Sequence, residues 1–445
     1  MRLSRRVRIT TIPRMSPVLS QPAESLRAAN PTSLSSHPTM FVSSRIASMS
    51  ESATLAVGAK AAAARAKGHD VIAFAMGEPD FDTPDNIKRV AIAALEKGMT
   101  KYAPTPGDKA AREAIARKLT VENGIETTFE QVTVTAGAKH AIYMALQAIV
   151  EPGRGDEVLL PTPAWVSYKA LIELAGAKCV EVAGTVANGF RITPAQLAAA
   201  VTPRTVGIVW NSPSNPCGTA YPAAEVRALC EVLAKHEKVT IISDEIYEKL
   251  IYPEVAPGLT HFSPGSMPAL KDRTITINGM SKSYAMTGWR IGYMAAPKAM
   301  AKELIKLQGQ MTNSIPSFFY PAIVEALTNS AAGVEAMRVK FASRAALIKR
   351  ELDAVPGFVT VAPNAAFYAF PDVSAHFGKT SPAGARITSA QSFADALLDE
   401  AHVAVVPGED FGDCARGMIR FSFACSDENI VKGIARIRDW VAKLR

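Results

Sequence analysis

The stretch Asn278-Gly279-Met280-Ser281-Lys282-Ser283-Tyr284-Ala285-Met286-Thr287-Gly288-Trp289-Arg290-Ile291-Gly292-Tyr293 places one amine, Lys282, just past an apolar run, Thr274–Ile277, that reads as a buried strand. A lysine amine condenses with an aldehyde to form a Schiff base. Ser281 supplies a hydroxyl that donates to a phosphate oxygen, and Arg290 a charged planar fork that grips one. An aldehyde that also carries a phosphate satisfies all three, and pyridoxal 5'-phosphate (PLP) is the common protein-bound aldehyde. Taken alone, the same stretch also reads as a surface loop with a solvated lysine.

Other residues extend the pattern. Asp244, in Ser243-Asp244-Glu245-Ile246-Tyr247, is a carboxylate suited to keep a pyridine nitrogen protonated, so that the ring accepts electrons from a substrate Cα. It reads equally as a helix N-cap. Tyr247 and Asn215 are donors for the ring's phenolic oxygen, although Asn215-Pro216 is also ordinary turn chemistry. Thr162-Pro163 and Asn215-Pro216 are candidate cis peptides. Trp165 has the indole to cover one ring face, or to fill a core. Gly137 and Ala138 begin a helix-like segment, and their N–H groups make a ready anion site. Arg420, in Ile419-Arg420-Phe421-Ser422, is a charge among apolar residues. It calls for a carboxylate partner, either a substrate's or one within the fold.

The elements that must position these groups alternate. Strand candidates are Val132–Thr135, Glu157–Leu160, Val206–Trp210, Thr240–Ser243 and Thr274–Ile277. Helical patterns Lys139–Ile149, Pro194–Ala200 and Ala223–His236 lie between them. Alternation predicts an α/β fold with a mostly parallel sheet covered on both faces. Each polar motif follows a strand, and ligands of such sheets bind at the strands' carboxyl ends. Five distant segments therefore converge on one crevice, which favours the chemical reading of Lys282. After about Thr328 the pattern becomes α+β: helices over Ala332–Ala354, Ser389–Ala401 and Asp427–Leu444, with short strands at Phe358–Val361, Ala366–Phe370 and Met418–Ser422. Ala301–Gln310 is expected to bridge two domains, and Asp372–Ser389 to be a loop or mobile insertion.

Composition narrows the classes. The 445 residues are 48% hydrophobic and 20% charged, which fits a globular chain of two or three domains. Of the net charge of +8, +5 lies in residues 1–39 (six arginines against Glu24), so nucleic-acid binding is disfavoured. The five cysteines form no C-x-x-C pair and suit a reducing compartment, without a disulfide framework or a metal site. No apolar run is long enough to cross a bilayer. Residues 1–42 read as a disordered arm or an upstream start, less readily as an organelle transit peptide; the expected location is cytoplasmic.

Together these motifs resemble the class I aminotransferases of PLP-dependent fold type I, over essentially all of residues 43–445. Gly77-Glu78-Pro79-Asp80-Phe81, Lys101-Tyr102-Ala103-Pro104 and Asn211-Ser-Pro-Ser-Asn-Pro216 add to the lysine block. The resemblance implies Lys282 as the Schiff-base lysine, Asp244 as the pyridinium partner, Asn215 and Tyr247 at the phenolate, and Arg420 at the substrate α-carboxylate. It further implies that Gly77 helps close the site, and that Tyr102 reaches the phosphate of a neighbouring subunit in a homodimer with shared active sites. It implies a large PLP domain over 80–325 and a smaller one combining 43–79 with 326–445. Within the family the chain is most similar to the bacterial-type aspartate aminotransferases. Ser52 matches a serine of a segment that folds over the site, and Lys139 a lysine that reads a distal carboxylate; Lys139 is otherwise a solvated helix-start lysine. Three departures bear on specificity: Cys217, Ala138, and Asn364-Ala365-Ala366-Phe367 without a glycine. The implied reaction passes an amino group from aspartate to 2-oxoglutarate by a ping-pong route. Prephenate, aromatic or alanine transamination and a carbon–sulfur lyase are alternatives on the same scaffold. A PLP-binding regulator without turnover is remote, because no DNA-binding pattern is present.

Overall fold

The computed structural model describes residues 41–47, 49, 51 and 53–445. Residues up to Ala47 form one unit, of which a short exposed helix, Ser44–Ala47, is described. Most of the expected N-terminal arm, and Ser52, lie outside the described residues. Ser48–Arg445 forms the second, much larger unit.

Its strands are β1 (Ile72–Ala73), β2 (Val132–Thr135), β3 (Glu157–Thr162), β4 (Lys178–Ala183), β5 (Thr205–Asn211), β6 (Thr240–Asp244), β7 (Thr274–Gly279), β8 (Gly292–Ala295), β9 (Tyr368–Ala369), β10 (Val403–Ala404), β11 (Val406–Pro407) and β12 (Ile419–Ser422). Seven of them build one sheet in the order β2-β8-β7-β6-β5-β3-β4. The neighbours β4, β3, β5, β6 and β7 run parallel, whereas β8 is antiparallel to both β7 and β2. Helices cover both faces, as the strand sequences require. Along β6, Ile241 packs with Leu159, Ile208 and Leu229 on one face, while its neighbour Ile242 packs with Val158, Val209 and Ile142 on the other. Alternate side chains point to opposite faces, so apolar residues in succession need two cores. Each isoleucine buried there contributes roughly 1.5–3 kcal/mol.

The smaller sheets lie outside this layer. β11, β12 and β9 form an antiparallel set, and β1 pairs in parallel with β10. A long helix, Ala331–Asp353, and the C-terminal helix, Asp427–Val441, supply Phe341, Ile348, Ile434 and Trp440 to the core beside them.

The five expected strands are present, most a residue or two longer. Edge strand β4 and the antiparallel β8 were not among the expectations. Phe358–Val361 forms only an isolated bridge at Val359, and the strand expected over Ala366–Phe370 shrinks to β9, between the left-handed Ala366 and Pro371. The segment expected to bridge two domains forms the helix Lys298–Gly309, whose Ala301 and Leu304 pack with Met294 of β8 and Ile142 of the helix Ala138–Ile149. Asp372–Ser389 is irregular, as expected, but anchored by the buried Val373, His376 and Ile387.

Candidate active site

Residues at or just past the ends of β3, β5, β6 and β7 ring one cleft. β5 ends at Asn211 and β6 at Asp244, while β7 runs into the loop that carries Ser281 and Lys282. The cleft, of ≈ 320 Å³, is within the range of small-molecule sites. Gly77, Ala138, Lys139, Trp165, Asn215, Asp244, Tyr247, Ser281, Lys282, Arg290 and Arg420 all line it. Two expected residues do not. Gly137 lies behind the lining, and Tyr102 is 93% exposed in a separate depression beside Lys101 and Phe318. Tyr102 was expected at a neighbouring subunit's phosphate, and it does not line the cleft of its own chain.

Lys282 stands on the cleft floor and its Nζ donates to the Gly77 carbonyl. The ammonium lies 5.9 Å from the Tyr247 ring centroid and 5.7 Å from that of Phe367. Burial pushes its pKa down to about 8; Arg420 and Arg290 push the same way, while Glu78 and Asp244 resist. At pH 7 about a tenth of the amine is then neutral, far more than for an ordinary lysine, as a nucleophile or base requires.

Asp244 is buried. Its Oδ2 accepts from Tyr168 Oη at 2.7 Å and its Oδ1 from Ile246 N at 3.1 Å. Both readings of this residue therefore have a physical counterpart: one oxygen caps the following turn, and the side chain also faces the cleft. Burial raises its pKa to about 6, against the two hydrogen bonds, and Glu245 adds to the rise. Tyr168 was missed in the sequence. The available signal was its place three residues after Trp165, which puts the two on one face of a helical turn; their rings meet edge to face at 5.3 Å.

Tyr247 Oη lies 2.8 Å from Tyr368 Oη, another residue that sequence reasoning did not find. Asn215 Oδ1 accepts from Arg420 Nη1 at 2.9 Å. The peptide bonds Thr162-Pro163 and Asn215-Pro216 are cis, as expected, and so is Ser212-Pro213.

The anion cup forms where β2 turns into the helix Ala138–Ile149. Gly137 has φ +84°, and a Cβ there would meet Arg290 Nη2 at 2.6 Å, so the guanidinium lies directly against the glycine backbone. Arg290 itself adopts φ 55° and its Nη1 donates to Thr287 O at 3.0 Å. Ser281 closes the cup from the lysine loop. Across the mouth, Lys139 Nζ sits 4.7 Å from the Trp165 ring centroid, with its pKa lowered by burial and by Arg290. Thr54, Leu55, Glu78 and Thr287 complete the mouth; Thr287 Oγ1 donates to Glu78 Oε2 at 2.9 Å.

Arg420 is the most informative charge. It is 1% exposed. Its Nη2 donates to Ala75 O at 2.6 Å and its guanidinium lies 4.9 Å from the Tyr368 ring centroid, yet its Nε has no partner among the described residues. Among the described residues no carboxylate pairs with it, so the internal ion pair considered from sequence is not formed. A buried cation without an anion is costly unless a ligand supplies one. That orphaned group, the amine, the buried carboxylate and the anion cup fit PLP together with a carboxylate-bearing substrate.

Comparison with known proteins agrees. Residues 69–437 match the family model described as aminotransferase class I and II. The chain belongs to this family. Members of the class I and II aminotransferases depend on PLP, and this chain is an aminotransferase. It is 44% identical over 405 residues to the aspartate/prephenate aminotransferase of Cereibacter sphaeroides, covering 91% of this chain and 99% of the relative. It is 43% identical over 399 residues to the aspartate aminotransferase of Geobacillus stearothermophilus, covering 89% and 98%. The crystal structure of the aspartate aminotransferase from Rhizobium meliloti superposes with a TM-score of 0.87 at 39% identity, covering 92% of this chain and all of that one. That of Thermus thermophilus with maleate gives 0.82 at 41% identity, covering 90% of this chain and 100% of that one. The α/β fold expected from the sequence is thus the PLP-dependent transferase fold.

Proposed function

We propose that this aminotransferase transfers the amino group of aspartate to 2-oxoglutarate by a ping-pong route, with PLP held at Lys282. The observation that carries the dicarboxylate reading is the pair of cations flanking Lys282: Arg420, buried without a carboxylate, and Lys139, at the mouth over Trp165. One suits the α-carboxylate and the other a distal carboxylate. The names of the relatives support aspartate and also support prephenate, which carries a second carboxylate, as an alternative partner.

In this reading Arg290, Ser281 and the backbone of Gly137 and Ala138 hold the phosphate, and Trp165 covers one ring face. Asp244, kept in place by Tyr168, accepts from the ring nitrogen, and Asn215 and Tyr247 donate to the phenolic oxygen. PLP, when bound, supplies an electron sink for the bond broken at the substrate Cα. Arg420 orients the α-carboxylate, and Asn215 Oδ1 fixes Arg420. Lys282 Nζ would take the proton from the substrate Cα and pass it to the cofactor's C4′, and would carry it the other way when the 2-oxo acid reacts; a pKa near 8 suits both directions. Ser52 remains part of the proposal as a residue that folds over the substrate, and Gly77 as a backbone group beside it.

The exposed Tyr102 and the apolar groove of Ile92, Leu95, Trp289 and Phe318 support a homodimer in which Tyr102 completes the neighbour's site. Sedimentation of a pure monomer would refute this. A division into residues 80–325 and 43–79 with 326–445 accords with the separate sheets. Five free cysteines, and no helix among the described residues long and apolar enough to cross a membrane, accord with a cytoplasmic location, which cell fractionation checks.

A half-reaction screen tests the substrate. The PLP-loaded protein is mixed with single amino acids and the change in its visible band is followed, with 2-oxoglutarate and prephenate as acceptors. Aspartate and glutamate should react fastest. A preference for apolar amino acids would overturn the dicarboxylate reading.

A further inference from the structure

The turn that carries Asp244 and Tyr247 to the cleft has a second face. Glu245 and Glu248, one residue later in each case, point away from the cleft into the protein. Glu245 is fully buried. Its Oε1 accepts from Ser243 Oγ at 2.8 Å, and its Oε2 from Ser263 Oγ at 2.5 Å, Asn123 Nδ2 at 3.0 Å and His261 Nε2 at 2.9 Å. Glu248 Oε2 accepts from Asn123 Nδ2 at 2.6 Å, and its Oε1 from Lys118 Nζ. Lys118 also donates to Asn123 Oδ1 at 2.7 Å. Lys118 and Asn123 project inward from the helix Lys109–Asn123, which Asp108 caps at one end and the left-handed Gly124 at the other. Backbone bonds tie the two faces: Glu248 N donates to Glu245 O at 3.0 Å, and Glu245 N to Ile277 O at 2.9 Å.

The ligand atoms of Glu245, Glu248 and His261 lie within 4.8 Å of one another, a spacing that would suit a metal ion. Donors already occupy those carboxylates, and an ammonium stands beside one of them. The cluster is therefore better read as a charge-balanced anchor. Two buried carboxylates face one buried ammonium, and His261, whose Nε2 lies 2.9 Å from Glu245 Oε2, is placed to supply a second positive charge when it is protonated. Burial opposes that proton, but the Glu245 carboxylate and its hydrogen bond, with Glu248 behind it, raise the pKa of His261. The surrounding groups do not replace the charge. Glu122, on the same helix, lies 3.8 Å from Lys118 Nζ but is engaged more closely, at 2.5 Å, by Lys249, so that pair adds no net charge, and Tyr284 and Tyr293 are held neutral by burial.

We propose that Lys118, Asn123, His261 and Ser263 are positioning residues for the cofactor: through Glu245 and Glu248 they fix the Asp244–Tyr247 turn, and the His261 charge keeps Asp244 competent to pair with the ring nitrogen. The inference deepens the PLP reading and rests on it. Asp244 and Glu245 are adjacent carboxylates, and Glu245 already raises the Asp244 pKa. Loss of the His261 charge leaves net negative charge behind Asp244 and favours its protonated form.

The test measures PLP affinity of the full-length apoprotein by fluorescence titration between pH 5.5 and 9, with thermal unfolding of the apoprotein as the control for folding. His261→Gln keeps a donor and drops the charge. Ser263→Ala keeps the charge and drops a donor. His261→Gln should weaken PLP binding by at least about fivefold at pH 6.5 and move the acid limb of affinity to higher pH. Ser263→Ala should weaken binding without moving that limb. Wild-type affinity and pH dependence in a folded His261→Gln variant would overturn the proposal alone. If that variant does not fold, unchanged affinity in Ser263→Ala overturns it instead. Failure of the wild type to take up PLP would overturn the functional reading and this proposal with it.

Discussion

Replacing Tyr168 by Phe removes one hydroxyl and leaves the ring in place. That hydroxyl donates to Asp244 Oδ2 at 2.7 Å, in a site where the carboxylate already has a pKa of about 6. A hydrogen bond to a charged acceptor is worth about 1.5–3 kcal/mol. Its loss falls on the ionised form, so the Asp244 pKa should rise by about one to two units, to roughly 7–8. Pairing with a protonated ring nitrogen needs the ionised form. At pH 6.5 the ionised fraction of the apoprotein then drops from about three-quarters to between about a quarter and a thirtieth. PLP affinity should fall by about 3- to 25-fold at that pH, and the deficit should disappear near pH 9, where both proteins are ionised. Equilibrium titration of PLP into the two apoproteins across that range measures it. An equal loss at every pH would mean that Tyr168 acts by packing alone, and no loss at any pH would mean that its hydrogen bond does not govern Asp244.

Further outcomes follow from the same geometry. Asp244→Asn should leave the apoprotein more stable at pH 7, by up to about 3 kcal/mol, while losing PLP affinity. The sign follows because the folded pKa of about 6 lies above the unfolded 3.8: ionisation opposes folding as pH rises between those values, and the amide never ionises. Chemical unfolding of the apoproteins checks it; equal stability would refute it. Lys139→Ala should lower kcat/KM for aspartate by roughly tenfold or more, and for alanine far less, because only aspartate loses an ion pair. Equal losses would remove Lys139 from distal-carboxylate recognition. Lys282→Ala should lose the visible band and transamination, and retained turnover would sink the mechanism.

The strand-end motifs were legible because each couples an apolar run to residues with few other uses. Lys282, Ser281 and Arg290 share one short segment, and Asp244 and Tyr247 another, so local spacing carried them to the same cleft. Tyr168 and Tyr368 were not legible. Their roles depend on a hydroxyl meeting a partner 76 or 121 residues away, and an isolated tyrosine reads as core. Of the late strands, Met418–Ser422 is present as β12, whereas Phe358–Val361 has the apolar content of a strand but pairs only at Val359, with Asp372. Tyr102 could be named only through resemblance, since nothing in its own chain's cleft requires it. The Glu245–Glu248 anchor went unread because carboxylates at that spacing usually mark a solvated helical face.

Arg420 is held by the Ala75 carbonyl, 345 residues earlier, and by Asn215, 205 residues earlier. Synthesis on the ribosome delivers these parts in order, and the guanidinium emerges after every strand of the large sheet. A nascent chain can assemble its large sheet before then, yet on the role proposed for Arg420 it still lacks the group that holds the α-carboxylate. On that role, products terminated before β12 should bind amino acids weakly and leave the pool of substrate to finished copies of the enzyme.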